Sequence, residues 1–420
     1  MKILLTSDLS PKQVNGVVVS VTNLKKELES IPGNEVRLLT LSPDIHSHKV
    51  EDTYFIGSLP FNIYPDVRAS LKVVDPFIEE IIRWKPDIIH SQCEFFTYSF
   101  VERIARRTKP YIVHTYQTLY QYYLNYFLPE WVGTNKTAVN MIGPVMRVRL
   151  RLADVVIAPT KKTQRLLEKS RVSDNIRVIP TGIDLRKFDQ PLSDEKRKEI
   201  LSRLEIPYEA PIYGSVGRLA QEKNLTEIIK AHQKILEKAP DAYLLLVGDG
   251  KYRPELEDLV SDLGIGDRVR FTGMIPAEEV NLYYKILNFF VSASISETQG
   301  LTYIEALAGG LPVLARRDEA VENVVIPGEN GFIFDTTKEL EDATLSLIQD
   351  QKLLRKLQEG AVHSREDFST QRFGQRVNQL YEELYHSGTL PKNHNADLLR
   401  ATKQELASLY DTVSENLFDI

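Results

Sequence analysis

Short apolar runs recur along the chain, and between them apolar positions return every three to four residues. The first pattern predicts buried strands, the second helices with one face laid against them. In the first half, the stretches 3–7, 36–41, 87–90, 111–115, 155–158 and 176–179 read as strands. The second half repeats the arrangement at 212–216, 243–247, 269–272, 289–292, 312–315 and 331–334. Alternation of this sort argues for an α/β protein made of two doubly wound parallel sheets, each covered by helices on both faces. Between the halves, 181–210 is rich in charge and carries Pro191 and Pro207, which places a hinge there. The predicted domains are 1–189 and 190–370, with 371–420 as terminal helices and tail. After the last strand, 338–384 reads as three successive helices. The tail from 388 opens with a polar, Pro-containing break and becomes amphipathic over 396–417. The facing strand ends of two such sheets would form a cleft, where ligands of open α/β sheets bind.

A chain of 420 residues has room for two domains with separate cores. Its one cysteine, Cys93, offers no internal disulfide, and the N-terminus opens on a strand-like Lys2-Ile3-Leu4-Leu5-Thr6 rather than a signal peptide, so a cytosolic protein is expected. No apolar stretch approaches bilayer-spanning length, which limits membrane contact to the surface.

The net charge of −6 conceals an asymmetry. Residues 1–189 hold 26 Lys+Arg against 20 Asp+Glu, and the remainder 26 against 38. Within 101–171 the excess sharpens to 13 basic against 4 acidic residues, which points to an anionic surface as partner. The stretch 116–151 mixes Tyr116, Tyr120, Tyr123 and Trp131 with Met141, Ile142 and Met146, and adds Lys136, Arg147, Arg149 and Arg151. That mixture fits an interfacial helix that dips apolar side chains among lipid tails and sets cations on headgroups. A helix packed on its own domain with a solvated basic face is the other reading.

Candidate chemistry concentrates after two strands of the second half. The loop following 289–292 runs Ser296-Glu297-Thr298-Gln299-Gly300-Leu301-Thr302 and enters a helix that carries Glu305. Gly300 lets backbone approach a ligand, and the amides of Leu301 and Thr302 open a helix N-terminus able to hold phosphate. Two carboxylates, Glu297 and Glu305, thus flank an anion-binding backbone, a layout that suits a sugar nucleotide. At the exit of 212–216, Gly217-Arg218-Leu219-Ala220-Gln221-Glu222-Lys223-Asn224 offers a guanidinium and an ammonium for a diphosphate. Gly248-Asp249, after 243–247, forms a tight turn of the kind on which a base or ribose rests. Gly16-Val17, after the first strand, opens a helix whose amides could face a phosphate. His114 stands at the carboxyl end of 111–115, where side chains of such sheets face a ligand. No two aspartates are separated by a single residue, so a D-x-D metal motif is absent, and no G-x-G-x-x-G follows the first strand.

The segment Ser296-Glu297-Thr298-Gln299-Gly300-Leu301-Thr302-Tyr303-Ile304-Glu305-Ala306-Leu307-Ala308 resembles the E-x7-E signature of retaining glycosyltransferases with the GT-B fold, and its wording is similar to that of bacterial diacylglycerol glucosyltransferases. The motif around Arg218 and Lys223 matches the same family's G-R-x-x-x-E-K-N. Where most of the wider family has an aromatic residue, this chain has Gln299, and Asn15-Gly16 stands where many members have Gly-Gly.

The resemblance implies two Rossmann-like domains about a central cleft, with the last helix crossing back to the first domain. It implies a peripheral enzyme on the inner membrane face, with diacylglycerol, an anionic membrane surface and a nucleotide sugar as partners and no nucleic acid. UDP-glucose would be the donor. No cofactor or metal is required, Mg2+ and anionic lipid being modulators at most. Arg218 and Lys223 would hold the leaving diphosphate, Glu305 the ribose hydroxyls and Glu297 a sugar hydroxyl. Gly16, Val17, Gly248, Asp249, Gly300, Leu301 and Thr302 complete the donor site. His114 would position the sugar, with no protein nucleophile and the leaving phosphate taking the acceptor proton. A soluble sugar, a polyprenyl-linked glycan or a protein as acceptor, or a non-catalytic nucleotide-sugar-binding subunit, are the alternatives.

Overall fold

The structure, a computed structural model, describes residues 1–9, 16–60, 68–70, 72, 74–93, 95–117, 147–170, 172–294, 297, 299–389 and 391–392. The chain divides into two compact units, one of residues up to Pro180 together with those from Phe373 onward, the other Thr181–Arg372.

In the first unit the strands are β1 (Lys2–Ser7), β2 (Glu35–Leu41), β3 (His48–Val50), β4 (Thr53–Ile56), β5 (Leu59–Pro60), β6 (Arg68–Ala69), β7 (Ile88–Ser91), β8 (Tyr111–Thr115), β9 (Val155–Ala158) and β10 (Ile176–Val178). Eight of them make one sheet in the order β10-β9-β8-β7-β1-β2-β4-β3, parallel except for the β3–β4 pair, and β5 pairs with β6. The second unit holds β11 (Ile212–Val216), β12 (Tyr243–Val247), β13 (Val269–Phe271), β14 (Phe289–Ser292), β15 (Val313–Arg316) and β16 (Gly331–Phe334), all parallel, in the order β13-β12-β11-β14-β15-β16. Counted from β11 this is the 3-2-1-4-5-6 order of a dinucleotide-binding sheet, whose direction of winding reverses between β11 and β14.

The parallel strands are apolar throughout because both faces are covered. On β12, Tyr243, Leu245 and Val247 enter the core on one face, while Leu244 and Leu246 enter the core on the other. Each fully buried leucine contributes about 2 kcal/mol by area. In the first unit Ile3 and Leu5 of β1 lie on one side and Leu4 on the other. The helix Pro76–Trp84 shows how local sequence fixes such a cover: the Asp75 carboxylate accepts from the Phe77 amide at 3.0 Å, Pro76 occupies the first turn, and Ile78, Ile81, Ile82 and Trp84 are buried.

The three expected C-terminal helices are Thr337–Gln349, Gln351–Ser364 and Thr370–His386. The last returns to the first unit, where Phe373, Val377, Leu380 and Tyr381, on one stripe of the helix, pack with Ile3, Leu5 and Val113. Each of the twelve anticipated strands is present within a residue or so of its expected bounds. The β3–β4 hairpin was not anticipated: its turn at Glu51-Asp52 reaches φ 50° at Glu51 without the glycine or asparagine that usually marks such a turn. No helix among the described residues is long and apolar enough to cross a membrane.

Candidate functional site

Two loops of the second unit leave the sheet on either side of the winding reversal, one after β11 and one after β14. Their side chains meet. The Lys223 ammonium donates to Glu297 Oε1 at 2.5 Å, with both side chains largely covered. Arg218 donates to Glu222 at 2.7 Å from a more open position. Gly217, one residue before Arg218, lies with its α-carbon open toward Thr302: a methyl placed on Gly217 would sit 3.9 Å from the Thr302 methyl. The end of β11 thus runs beside the N-terminus of the helix Leu301–Ala308.

Gly300 caps that helix at φ 71°, in the left-handed region, and an added Cβ would lie 2.3 Å from the Tyr303 ring. Its glycine is therefore dictated by the fold of the loop itself as well as by any ligand. The Tyr303 hydroxyl is 3.0 Å from Ser292 Oγ, and burial, reinforced by the charge of Glu297, pushes its pKa well above the usual phenol value. Glu305 is half-buried on the fifth position of the helix, and its Oε2 accepts from the Tyr284 hydroxyl at 2.8 Å. Burial raises the pKa of this carboxyl, and the Tyr284 hydrogen bond partly opposes the rise.

The turn at Gly248-Asp249 closes onto the β11 exit. Leu219 N–H donates to Asp249 O at 2.9 Å and Gly217 N–H to Val247 O at 2.9 Å. Gly248 has φ 125°, and a Cβ there would collide with Gly217 O at 2.1 Å. Gly248 N–H also donates to Thr272 Oγ1 at 3.1 Å, which brings the end of β13 into the same cluster. Arg218, Lys223, Gly248, Asp249, Glu297, Gly300, Leu301, Thr302 and Glu305 therefore all belong to the carboxyl-terminal edge of one sheet.

Gly16 and Val17 open the helix Gly16–Glu29 after β1 of the first unit. His114 also belongs to the first unit. It is fully buried as the fourth residue of β8, opposite Ser91 and Val156, with the Tyr98 ring edge-on at 6.1 Å. Beside it, His90 on β7 is held at both ring nitrogens, Nδ1 at 2.5 Å from the Tyr381 hydroxyl and Nε2 at 2.6 Å from Thr115 Oγ1. Burial, with the charge of His114 adding to it, lowers the His90 pKa to about 3. The Gln92 amide nitrogen lies 3.0 Å from the same Nε2, and Gln117 donates to Gln92.

Of the proposed membrane-facing residues, Lys136, Met141, Ile142 and Met146 lie outside the described residues. Arg147 and Arg151 are half-buried on a helical stretch over 147–152. Arg149 is engaged within the first unit, donating to Phe95 O at 2.7 Å and Ser99 Oγ at 3.2 Å, with its guanidinium 5.4 Å from the Tyr98 ring centroid.

Sequence reasoning passed over three participants. Glu222 was visible in the motif, four residues beyond Arg218, but was given no task. Tyr284, which supports Glu305, carries no local signal. Gln299 was noted only as a departure from the wider family; its side chain proves to be buried and bonded to the backbone of Thr181.

Two Rossmann-like sheets, a helix returning to the first, and paired cations and acids at a winding reversal define a nucleotide-dependent transferase of the GT-B class. Comparisons with known proteins agree. Residues 14–187 match the family described as Glycosyltransferase Family 4, and 196–363 the family described as Glycosyl transferases group 1. The chain is 33% identical over 426 residues, 100% of its own length and 91% of the relative's, to an alpha-monoglucosyldiacylglycerol synthase of Streptococcus pneumoniae. It is 28% identical to the protein of the same name from Acholeplasma laidlawii, across 91% of this chain and 97% of that one. Among solved structures, a sucrose-phosphate synthase from Thermosynechococcus elongatus superposes with TM-score 0.71 at 24% identity, covering 92% of this chain and 100% of that one. The Anabaena protein HepE, solved with UDP and glucose, superposes with TM-score 0.68 at 18% identity, covering 91% of this chain and 100% of that one. The chain belongs to the GT-B glycosyltransferases and is a hexosyltransferase. Within that class it is similar, over 91% of its length or more, to the alpha-monoglucosyldiacylglycerol synthases of Streptococcus pneumoniae and Acholeplasma laidlawii.

Proposed function

We propose that the enzyme transfers glucose from UDP-glucose to the free hydroxyl of 1,2-diacylglycerol with retention of configuration, giving alpha-monoglucosyldiacylglycerol at the cytoplasmic face of the membrane. The observation that carries this reading is the meeting of Lys223 with Glu297 across the winding reversal of the second sheet, in a chain similar end to end to synthases of that product. Arg218, Lys223 and the amides of Leu301 and Thr302 balance the diphosphate, so the reading requires no metal. The carboxylate of Glu305 takes the ribose hydroxyls, the Gly248-Asp249 turn supports the nucleoside, and Glu297 holds a sugar hydroxyl. The bond from the anomeric carbon to the β-phosphate oxygen breaks as the acceptor oxygen bonds to that carbon on the same face. The acceptor proton passes to the departing phosphate oxygen. Arg218 and Lys223 stabilise the negative charge that grows there, an effect larger in the transition state than in the bound donor. The roles that the resemblance implies for Gly16, Val17 and His114, all of the first unit, stay part of the proposal.

The excess of basic residues in 101–171 supports a lipid acceptor, since each cation near an anionic surface contributes about 1 kcal/mol to reversible binding. Incubation with a panel of nucleotide sugars and diacylglycerol vesicles, followed by analysis of the lipid product and its anomeric configuration, tests the proposal. The expected products are UDP and the α-glucolipid. Glucosylation of a soluble sugar, polyprenyl-linked glycan or protein in place of diacylglycerol overturns the acceptor. Absence of turnover with every nucleotide sugar overturns the donor chemistry.

A further inference from the structure

Gln299 stands between the two parts of the loop that matter for the donor, Glu297 on one side and Gly300 with the helix N-terminus on the other. Its side chain is 5% exposed and faces back into the second unit. There it bonds to a residue 118 positions earlier in the chain: Oε1 accepts from the Thr181 amide at 2.9 Å, and Nε2 donates to the Thr181 carbonyl at 2.9 Å. One side chain thus satisfies both backbone groups of one residue, as a neighbouring strand would. A carboxamide is suited to this because it presents one donor and one acceptor side by side. An aromatic ring offers neither, and a carboxylate would set an oxygen against the carbonyl.

Thr181 is where the second unit begins, directly after Pro180. Two residues on, Ile183 N–H donates to Phe368 O at 2.8 Å, and Thr370 N–H donates to Ile183 O at 3.0 Å. The second unit ends at Arg372. Just inside the second unit, the segment that follows the outgoing crossing is therefore bonded to the segment that precedes the returning one, and Gln299 bonds the donor loop to the first of them.

We propose that Gln299 is a positioning residue that couples the nucleotide-sugar loop to these paired segments, so that filling the donor site tightens the backbone at 181–183. The inference rests on the donor site proposed above. The connection behind it is a discrete pair of hydrogen bonds between the proposed donor loop and the backbone where the second unit begins. Coupling is reciprocal: if the bound donor tightens 181–183, loosening 181–183 weakens the donor.

The test is amide hydrogen exchange on the full chain, with and without UDP, in the wild type and in Gln299→Met and Gln299→Glu, together with UDP titration of all three. Methionine keeps the volume and removes both bonds; glutamate keeps the acceptor and removes the donor. In the wild type UDP is expected to slow exchange of the 181–183 amides. In Gln299→Met that response is expected to vanish and UDP binding to weaken by about tenfold, with glutamate intermediate or similar. A purely structural clamp would raise basal exchange at Thr181 yet leave UDP affinity unchanged. That result, or wild type that binds UDP with no response at 181–183, overturns the coupling. Wild type that does not bind UDP at all overturns the donor reading itself, and the coupling with it. Should Gln299→Met fail to fold, the glutamate variant alone decides, because unchanged UDP affinity and an unchanged 181–183 response in it refute the proposal.

Discussion

Lowering the pH from 7.5 to 5 should destabilise the first unit in a way that depends on His90. This imidazole is fully buried between the C-terminal helix and the strand ends, and its pKa falls to about 3 from an ordinary 6.5. In the unfolded chain it takes up a proton as the pH passes 6.5, whereas in the folded unit it stays neutral until about 3. Between those values the unfolded state binds more protons, so stability falls as the pH falls. At pH 5 the unfolded histidine has been protonated over 1.5 units of pH, worth about 2 kcal/mol at 1.36 kcal/mol per unit.

Other groups titrate over the same range, so the quantity to measure is a difference. His90→Gln keeps a donor and an acceptor for Tyr381 and Thr115 but has no proton to gain. It should be less stable than wild type at pH 7.5 by about 1 kcal/mol for imperfect bonds, and the gap should close or reverse by pH 5. Both tryptophans of the chain, Trp84 and Trp131, precede Pro180, so indole fluorescence during urea unfolding reports the first unit. Parallel pH dependences in wild type and variant would refute the reasoning, because they would mean that His90 is already charged in the folded unit at pH 5.

Removing Lys223, Arg218 or Glu297 by alanine substitution should lower turnover by about 100- to 1000-fold with urea unfolding little changed; near wild-type rates in all three would remove the proposed site. Gly248→Ala is expected to lose at least about 2 kcal/mol of stability and most UDP affinity, because its φ is positive and its Cβ meets Gly217 O; an unchanged urea midpoint would show that the turn yields. Glu222→Gln should tighten UDP binding by up to about fivefold, since an ion pair with one exposed partner contributes about 1 kcal/mol or less and the amide no longer competes for Arg218. Weaker UDP binding in that variant would instead show that Glu222 holds the guanidinium in place.

The strands of both sheets were legible because burial on both faces makes them continuously apolar, a signal that survives without any knowledge of neighbours. The hairpin at 48–56 was not, since its outer strand is mostly exposed and its turn lacks the usual residues. The placement of Arg218, Lys223 and Glu297 at one edge of the sheet could be read from spacing because each lies in a loop that leaves a strand, and that of Glu305 because the helix continues from the same loop. Gln299 and Tyr284 could not. Their partners are distant in sequence: Thr181 stands 118 positions before Gln299, and Glu305 lies 21 positions beyond Tyr284, with β14 between them. The two histidines show the same limit. His114 and His90 occupy neighbouring strands with similar local sequence, yet only the packing of Tyr381 from the far end of the chain reveals that His90 closes a hydrogen-bonded chain.

That dependence on distant partners has a consequence for how the donor is received. Lys223 and Arg218 each already face an acid, Glu297 and Glu222. A diphosphate entering beside them competes with carboxylates rather than with water alone, so part of the attraction between cation and phosphate is spent on separating existing pairs. The two exchanges differ. Arg218 is the most exposed of the four groups, so its pair with the covered Glu222 is partly screened and more easily traded. Lys223 and Glu297 are more covered, and separating them without a replacement would strand a charge. In the proposed donor site the sugar and the diphosphate would supply replacements together, hydroxyls donating to Glu297 while phosphate oxygens accept from Lys223. A nucleotide without its sugar satisfies Lys223 but leaves Glu297 wanting donors. The more covered pair would therefore favour the complete nucleotide sugar over UDP and release the product once the sugar has gone.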